Sequence, residues 1–169
     1  MNYREIWNEI VGEYNKNRNA KEEIIQNSWE LLLKFLFGYS KEDIDAQRSI
    51  KMGATERGEP DIIVRKDGKD AFVIELKRHT LHDGREQLFS YLNQLKMNIG
   101  IVVCDALYLY DYDFTKKDIY RELEIPFERG NPDGEAFTEL FSRENFDAEK
   151  DAKFIRRRSG AKTLCGGCD

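Results

Sequence analysis

Asp61, Glu75 and Lys77 are the residues whose types and spacing point most directly to chemistry. Pro60-Asp61 opens the apolar run Ile62-Ile63-Val64, and Glu75-Leu76-Lys77 closes the run Ala71-Phe72-Val73-Ile74. Side chains alternate along a strand, so Glu75 and Lys77 would share a face about 7 Å apart. Two carboxylates that reach one point, joined by the Leu76 carbonyl and by water, make a hard oxygen site suited to Mg²⁺ or Mn²⁺. Such an ion makes a bound water acidic and neutralises charge building on a phosphate. The Lys77 ammonium would orient the attacking water or stabilise the crowded phosphate as a fixed point charge.

Whether Asp61 joins the other two depends on the turn between the runs, Lys66-Asp67-Gly68-Lys69. Opposed residues of a hairpin point to one face, and loop length fixes which residues are opposed. A regular two-residue loop at Asp67-Gly68 would set Asp61 opposite Ile74, on the wrong side. An odd loop would set it opposite Val73 and diagonal to Glu75. A shared metal site therefore predicts an odd-length loop or a bulge.

The elements that must carry these residues follow from periodicity. Ile6, Trp7, Ile10, Val11 and Tyr14 have helical spacing over residues 3–14, with an interruption at 15–20. Ile25, Trp29, Leu32, Leu33 and Leu36 form a second stripe that Gly38 ends. Extended backward, that stripe includes Glu22, an inward carboxylate that could hold a metal-bound water or a second ion, with Glu23 as the competing position on the wet side. A strand is expected at 45–52, a loop at 53–59, the hairpin strands at 60–65 and 71–77, and a helix over 83–95. Strands at 99–104, 107–112 and 123–127, a turn at 131–134, and helices at 135–141 and 148–157 complete the chain.

With 169 residues, 40% of them hydrophobic and 35% charged, the chain suits one globular domain, placed at 1–155, with a basic, cysteine-containing tail at 156–169. No apolar run is long enough for a membrane helix, and Arg4, Glu5 and Glu9 interrupt any secretory signal. The expectation is a soluble, cytoplasmic protein with reduced thiols. A net charge of −5 gives no general attraction to nucleic acid, so any such binding must be local.

Pro60-Asp61, then Glu75-Leu76-Lys77 with thirteen residues intervening, resembles the signature of the PD-(D/E)XK nuclease superfamily. Gln87-Leu-Phe-Ser-Tyr91 on the next helix narrows the likeness to the N-terminal nuclease domain of type I restriction enzyme motor subunits, over residues from about 20 to about 155. The sequence departs from that family's usual Thr-Asn-Gly at Cys104-Asp105-Ala106. The resemblance implies a restriction-endonuclease-like α/β (α+β) core, a central mixed sheet flanked by helices. It implies Mg²⁺-dependent cleavage of DNA in a restriction or defence system. It also implies motor or specificity subunits as partners, and Gln87 and Tyr91 contacting DNA or supporting the catalytic residues. Cutting both strands with one site per chain would favour a homodimer or a larger complex. The competing reading is a catalytically silent module of the same fold that binds nucleic acid or a motor subunit.

Other features have simpler explanations. His79 and His82 read as solvated loop histidines, and Cys165-Gly-Gly-Cys168 as a tail without the second ligand pair that a zinc site requires. Arg156-Arg157-Arg158 reads equally as a solvated helix end or a phosphate contact.

Overall fold

The architecture is that of a computed structural model, which describes every residue except Gln47, His79, Lys117, Asp118, Gly160 and 164–169, with only the backbone of 161–163. Helices α1 (Tyr3–Asn17) and α2 (Glu22–Phe35) come first, then a short 3-10 helix (Lys41–Asp43) and strands β1 (Ile44–Ala46), β2 (Ile50–Lys51) and β3 (Arg57–Gly58). The hairpin strands β4 (Ile62–Lys66) and β5 (Lys69–Leu76) precede α3 (Leu81–Leu95) and the strands β6 (Ile99–Val103), β7 (Leu107–Tyr112) and β8 (Ile119–Ile125). Helices α4 (Pro132–Leu140) and α5 (Ala148–Arg158) and strand β9 (Ala161–Thr163) follow. The sheet runs in the order β1-β4-β5-β6-β7-β8-β9, antiparallel except where β5 and β6 lie parallel across the α3 crossover. This is the expected mixed sheet flanked by helices.

Strand alternation divides the apolar residues between two cores. Ile62, Val64, Phe72, Ile74 and Leu76 face α1, α2, α4 and α5, whereas Ile63 and Val73 face α3 through Leu88, Phe89 and Leu92. The β4–β5 turn is the two-residue loop Asp67-Gly68, both residues with positive φ (53° and 78°), as a type I′ turn requires. The register breaks one step further on. Arg65 pairs with Asp70 but Val64 pairs with Phe72, so Ala71 is an extra residue in β5. Ala71 packs toward the same core as Phe72, which explains why the ladder yields there.

Several boundaries differ from the sequence-based expectation. α1 runs through Asn17 rather than ending near Tyr14. The strand expected at 45–52 splits in two. Only 44–46 pair with β4, while Arg48 turns to bind Asp45 at 2.6 Å and Asp70 at 2.9 Å. The expected loop at 53–59 contains β3, which folds back on β2 as a small hairpin, Ile50 opposite Gly58. The turn expected at 131–134 is the first turn of α4: the Asn131 side chain accepts from the N–H groups of Asp133 and Gly134, and Pro132 begins the helix. β8 begins at Ile119, four residues before the expected strand, because it pairs with the whole of β7. Residues 156–158, assigned to a tail, complete α5, and 161–163 pair with β8. Cys165 and Cys168 lie outside the described residues.

Candidate active site

With Ile62 opposite Ile74, continuing the register one step sets Asp61 against Glu75. The Ala71 bulge restores the parity that an odd loop would have given and sets Asp61 directly opposite Glu75 rather than diagonal to it. The backbone N–H of Asp61 donates to Glu75 Oε1 at 3.0 Å, and the N–H of Leu76 donates to Asp61 Oδ2 at 2.8 Å. Each acid is thus fixed by backbone of the opposite strand. Gln26 of α2 steadies the same bend by donating its side-chain N–H to the Asp61 carbonyl at 3.2 Å.

The electrostatics are those of a crowded acid pair. Glu75 is 1% exposed, and burial followed by the Asp61 charge pushes its carboxyl up to about 8. Burial also raises Asp61, opposed by the Leu76 N–H and the Lys77 charge, and reinforced by Glu22. The two carboxyl groups interact directly, an interaction that lowers Asp61 and raises Glu75, so the pair resists carrying two charges. Lys77 acts on both acids, and its backbone N–H continues the parallel ladder by donating to the Val103 carbonyl at 2.9 Å. All three residues therefore lie at the carboxyl end of β5, the end at which open α/β sheets place their ligands.

Helix α3 covers this end, and two glycines that sequence reasoning passed over allow it to do so. A Cβ on Gly84 would lie 2.7 Å from the Lys77 Cγ, so the first turn of α3 can cross Lys77 only without a side chain. A Cβ on Gly58 would lie 2.7 Å from the Tyr91 ring, so β3 rests directly on that ring. Tyr91 is buried; its hydroxyl accepts from Gln87 Nε2 at 3.1 Å and from the Glu59 backbone N–H. The pair Gln87 and Tyr91 thus holds the segment that enters Pro60-Asp61. The close approach of glycine to a ring leaves no mark in a single sequence beyond the glycine itself.

Glu22 is a correction. It stands exposed in the first turn of α2 rather than on a buried stripe. Burial along that stripe grows from half-buried Ile25 to buried Trp29 and Leu33, and periodicity shows which face points inward, not how far the cover extends. Glu22 reaches Asp61 through charge, and the two line one acidic depression with Glu23, Gln26 and Glu30. His82 pairs on the surface with Glu86 at 3.0 Å, and His79 lies outside the described residues.

The donor set fits a hard divalent cation in part. Two carboxylates forced together in a buried place, with a strand carbonyl between Glu75 and Lys77, form an oxygen set that a cation would relieve. Among the described residues no group of three His, Cys, Asp or Glu side chains could hold a metal by side chains alone, so water and backbone would have to supply the remaining ligands. No helix among the described residues is long and apolar enough to cross a membrane.

A mixed sheet flanked by helices, with clustered acids at a strand's carboxyl end, defines a restriction-endonuclease-like α+β core. Residues 21–126, more than half of the chain, match the family described as Type I restriction enzyme R protein N terminus, and the chain belongs to that family. The comparison with curated proteins gave no match.

Proposed function

We propose that the chain is a metal-dependent endodeoxyribonuclease of the PD-(D/E)XK type, acting in a type I restriction-like system. The observation that carries this reading is the opposition of Asp61 to Glu75 across the bulged hairpin, beside Lys77. Asp61, Glu75 and the Leu76 carbonyl would hold Mg²⁺ or Mn²⁺, which would supply an acidified water and offset charge on the scissile phosphate. Lys77 would place its ammonium against the phosphate or the attacking water, and Glu22 would hold water at the acidic mouth. Gln87 and Tyr91 would position the Glu59–Asp61 approach. DNA is the substrate on this reading, with motor or specificity subunits as partners and a homodimer as the form that cuts both strands.

The second reading, a silent DNA-binding or motor-docking module, draws on one observation: no three-sided acid or histidine cluster is assembled among the described residues. Incubation with plasmid and linear DNA, with Mg²⁺ or Mn²⁺ and with chelator, separates the two. Cleavage that needs metal and disappears in Asp61→Ala and Lys77→Ala supports the nuclease. Retarded DNA that is never cut, with metal and partner subunits present, favours the silent module.

A further inference from the structure

On the opposite side of the β5 and β6 ends from α3 lies a half-open cavity of about 210 Å³, bounded by α1, α2 and the residues that follow β5 and β6. Its floor is apolar, formed by Ile10, Ile25, Trp29 and Leu32. Tyr14 forms a rigid wall: its ring stacks on Phe127 at 4.0 Å and its hydroxyl donates to the Asp105 carbonyl at 3.2 Å. The volume is below the range of about 300 to 1,000 Å³ that takes drug-sized ligands, so it suits one planar ring system, and the rest of a ligand would lie outside it at the mouth, where Arg18 and Arg78 are exposed.

The polar groups in this cavity are arranged for a particular kind of ring. Glu13 Oε2 accepts from Asn17 Nδ2 at 3.2 Å and from Ser28 Oγ at 3.1 Å, which fixes the carboxylate. Its other oxygen, Oε1, accepts no hydrogen bond among the described residues. A fixed carboxylate with an open lone pair selects a donor edge, such as the exocyclic amine of a nucleobase. Arg18 and Arg78 also line the cavity. Arg78 donates to the Asn19 carbonyl at 3.1 Å, and neither arginine has a carboxylate partner among the described residues. Two such guanidiniums beside an apolar slot are suited to a phosphate.

We propose that this cavity is a nucleotide subsite: the base enters between Tyr14 and Trp29 with its amine on Glu13, and the phosphate lies on Arg18 and Arg78. An amine-bearing base is preferred over thymine, which offers no exocyclic donor. The subsite adjoins the candidate active site, because Lys77 and Arg78 are consecutive and both line it. The nucleotide could be free or could be one extruded from a strand, a route by which proteins acting on DNA bring a base into a pocket. As a DNA-reading subsite the proposal rests on the nuclease reading; as a mononucleotide site it does not.

Calorimetry of the full chain with dGMP and with dTMP tests the site, and duplex DNA carrying 2-aminopurine tests the source. The expected result is binding of dGMP at least about tenfold tighter than dTMP, weakened about tenfold or more in Arg18→Ala/Arg78→Ala, the scale of a charge-assisted hydrogen bond. Loss of the preference for dGMP in Glu13→Ala, and loss of binding in Ser28→Leu, which fills the slot, complete the expectation. A rise in 2-aminopurine fluorescence that Ser28→Leu abolishes assigns the subsite to an extruded nucleotide; dGMP binding without it assigns a free one. No response to dGMP or 2-aminopurine from a chain that still cuts DNA overturns the subsite and spares the nuclease. Response without any cleavage upholds the subsite and counts against the nuclease.

Discussion

Glu75 and Asp151 are both carboxyl groups carried into the interior, at 1% and 0% exposure, and burial pushes each up to about 8. In each case a second acid adds to the effect, Asp61 at one place and Asp147 at the other. Their surroundings then part. Glu75 accepts a backbone N–H, feels the Lys77 charge and lies against an Asp61 that is only half-buried, so its charge has a route to solvent and to a ligand. Among the described residues neither Asp151 oxygen has a well-formed hydrogen-bond partner, the Asp147 backbone N–H lowers its carboxyl only in part, and Lys66, whose charge it feels, donates instead to the Phe146 carbonyl at 2.8 Å. A buried acid is thus not by itself a site. What separates the two is an arrangement of donors that tolerates the ionised form and an opening through which a cation could complete it.

The largest expected effect that would break this comparison is at Glu75. Glu75→Gln should lower metal-dependent DNA cleavage by roughly a hundredfold or more, the scale of losing one charge-stabilising group in a reaction centre. On the proposed reading Mg²⁺ or Mn²⁺ should raise the melting temperature of the wild type, a shift worth about 2.7 kcal/mol at a hundred times Kd, and the same variant should lose that rise. Asp151→Asn should keep both cleavage and the metal response. Equal metal responses in the two variants, measured by thermal melts with and without chelator, would remove the distinction.

Next in size is the stability of Asp151→Asn. An unfolded aspartate ionises near about 3.9 whereas the folded Asp151 holds its proton to about 8, so folding takes up a proton between these values. The wild type therefore loses stability as pH rises from about 4 to about 8. Asp151→Asn should be more stable than the wild type by up to about 5 kcal/mol at pH 8, the free energy of holding a proton over about four pH units, and nearly equal to it at pH 4. Denaturant unfolding at the two pH values measures this, and a gain that does not change with pH would show that Asp151 is not the titrating group.

Tyr91→Phe should be milder. It removes the hydroxyl that joins Gln87 to Glu59 and should cost about 1 kcal/mol of stability, with a several-fold fall in kcat and a smaller change in KM if the pair positions Asp61. A fall confined to DNA affinity would instead make Tyr91 a DNA contact. Glu22→Ala should be the smallest. Exposed and acting on Asp61 through charge alone, it should leave stability within about 0.5 kcal/mol and reduce cleavage far less than Glu75→Gln in parallel assays.

Three elements were legible from local spacing. The α2 stripe, the β4–β5 hairpin and the helix bearing Gln87 and Tyr91 follow from spacing, because periods of 3.6 and 2 are properties of neighbouring residues. The acids and the lysine of the candidate site were legible for the same reason, as charges at the ends of apolar runs. Less was legible where long-range partners decide. β8 is longer than its weak alternation suggests because β7 completes it. The early start of α4 is different, since Asn131 capping a helix that Pro132 begins is a local signal that sequence reasoning took for a turn.

The sequence by itself determined which residues carry charge, which faces are apolar and that a turn lies within Lys66 to Lys69. Only the tertiary structure decided that Ala71 bulges so that Asp61 meets Glu75, that Glu22 stands in solvent, and that Asp151 is fully buried beside Asp147. The physical reason is common to all three. Register, cover and partnership are set by what packs against an element from distant parts of the chain, and no spacing within the element records it.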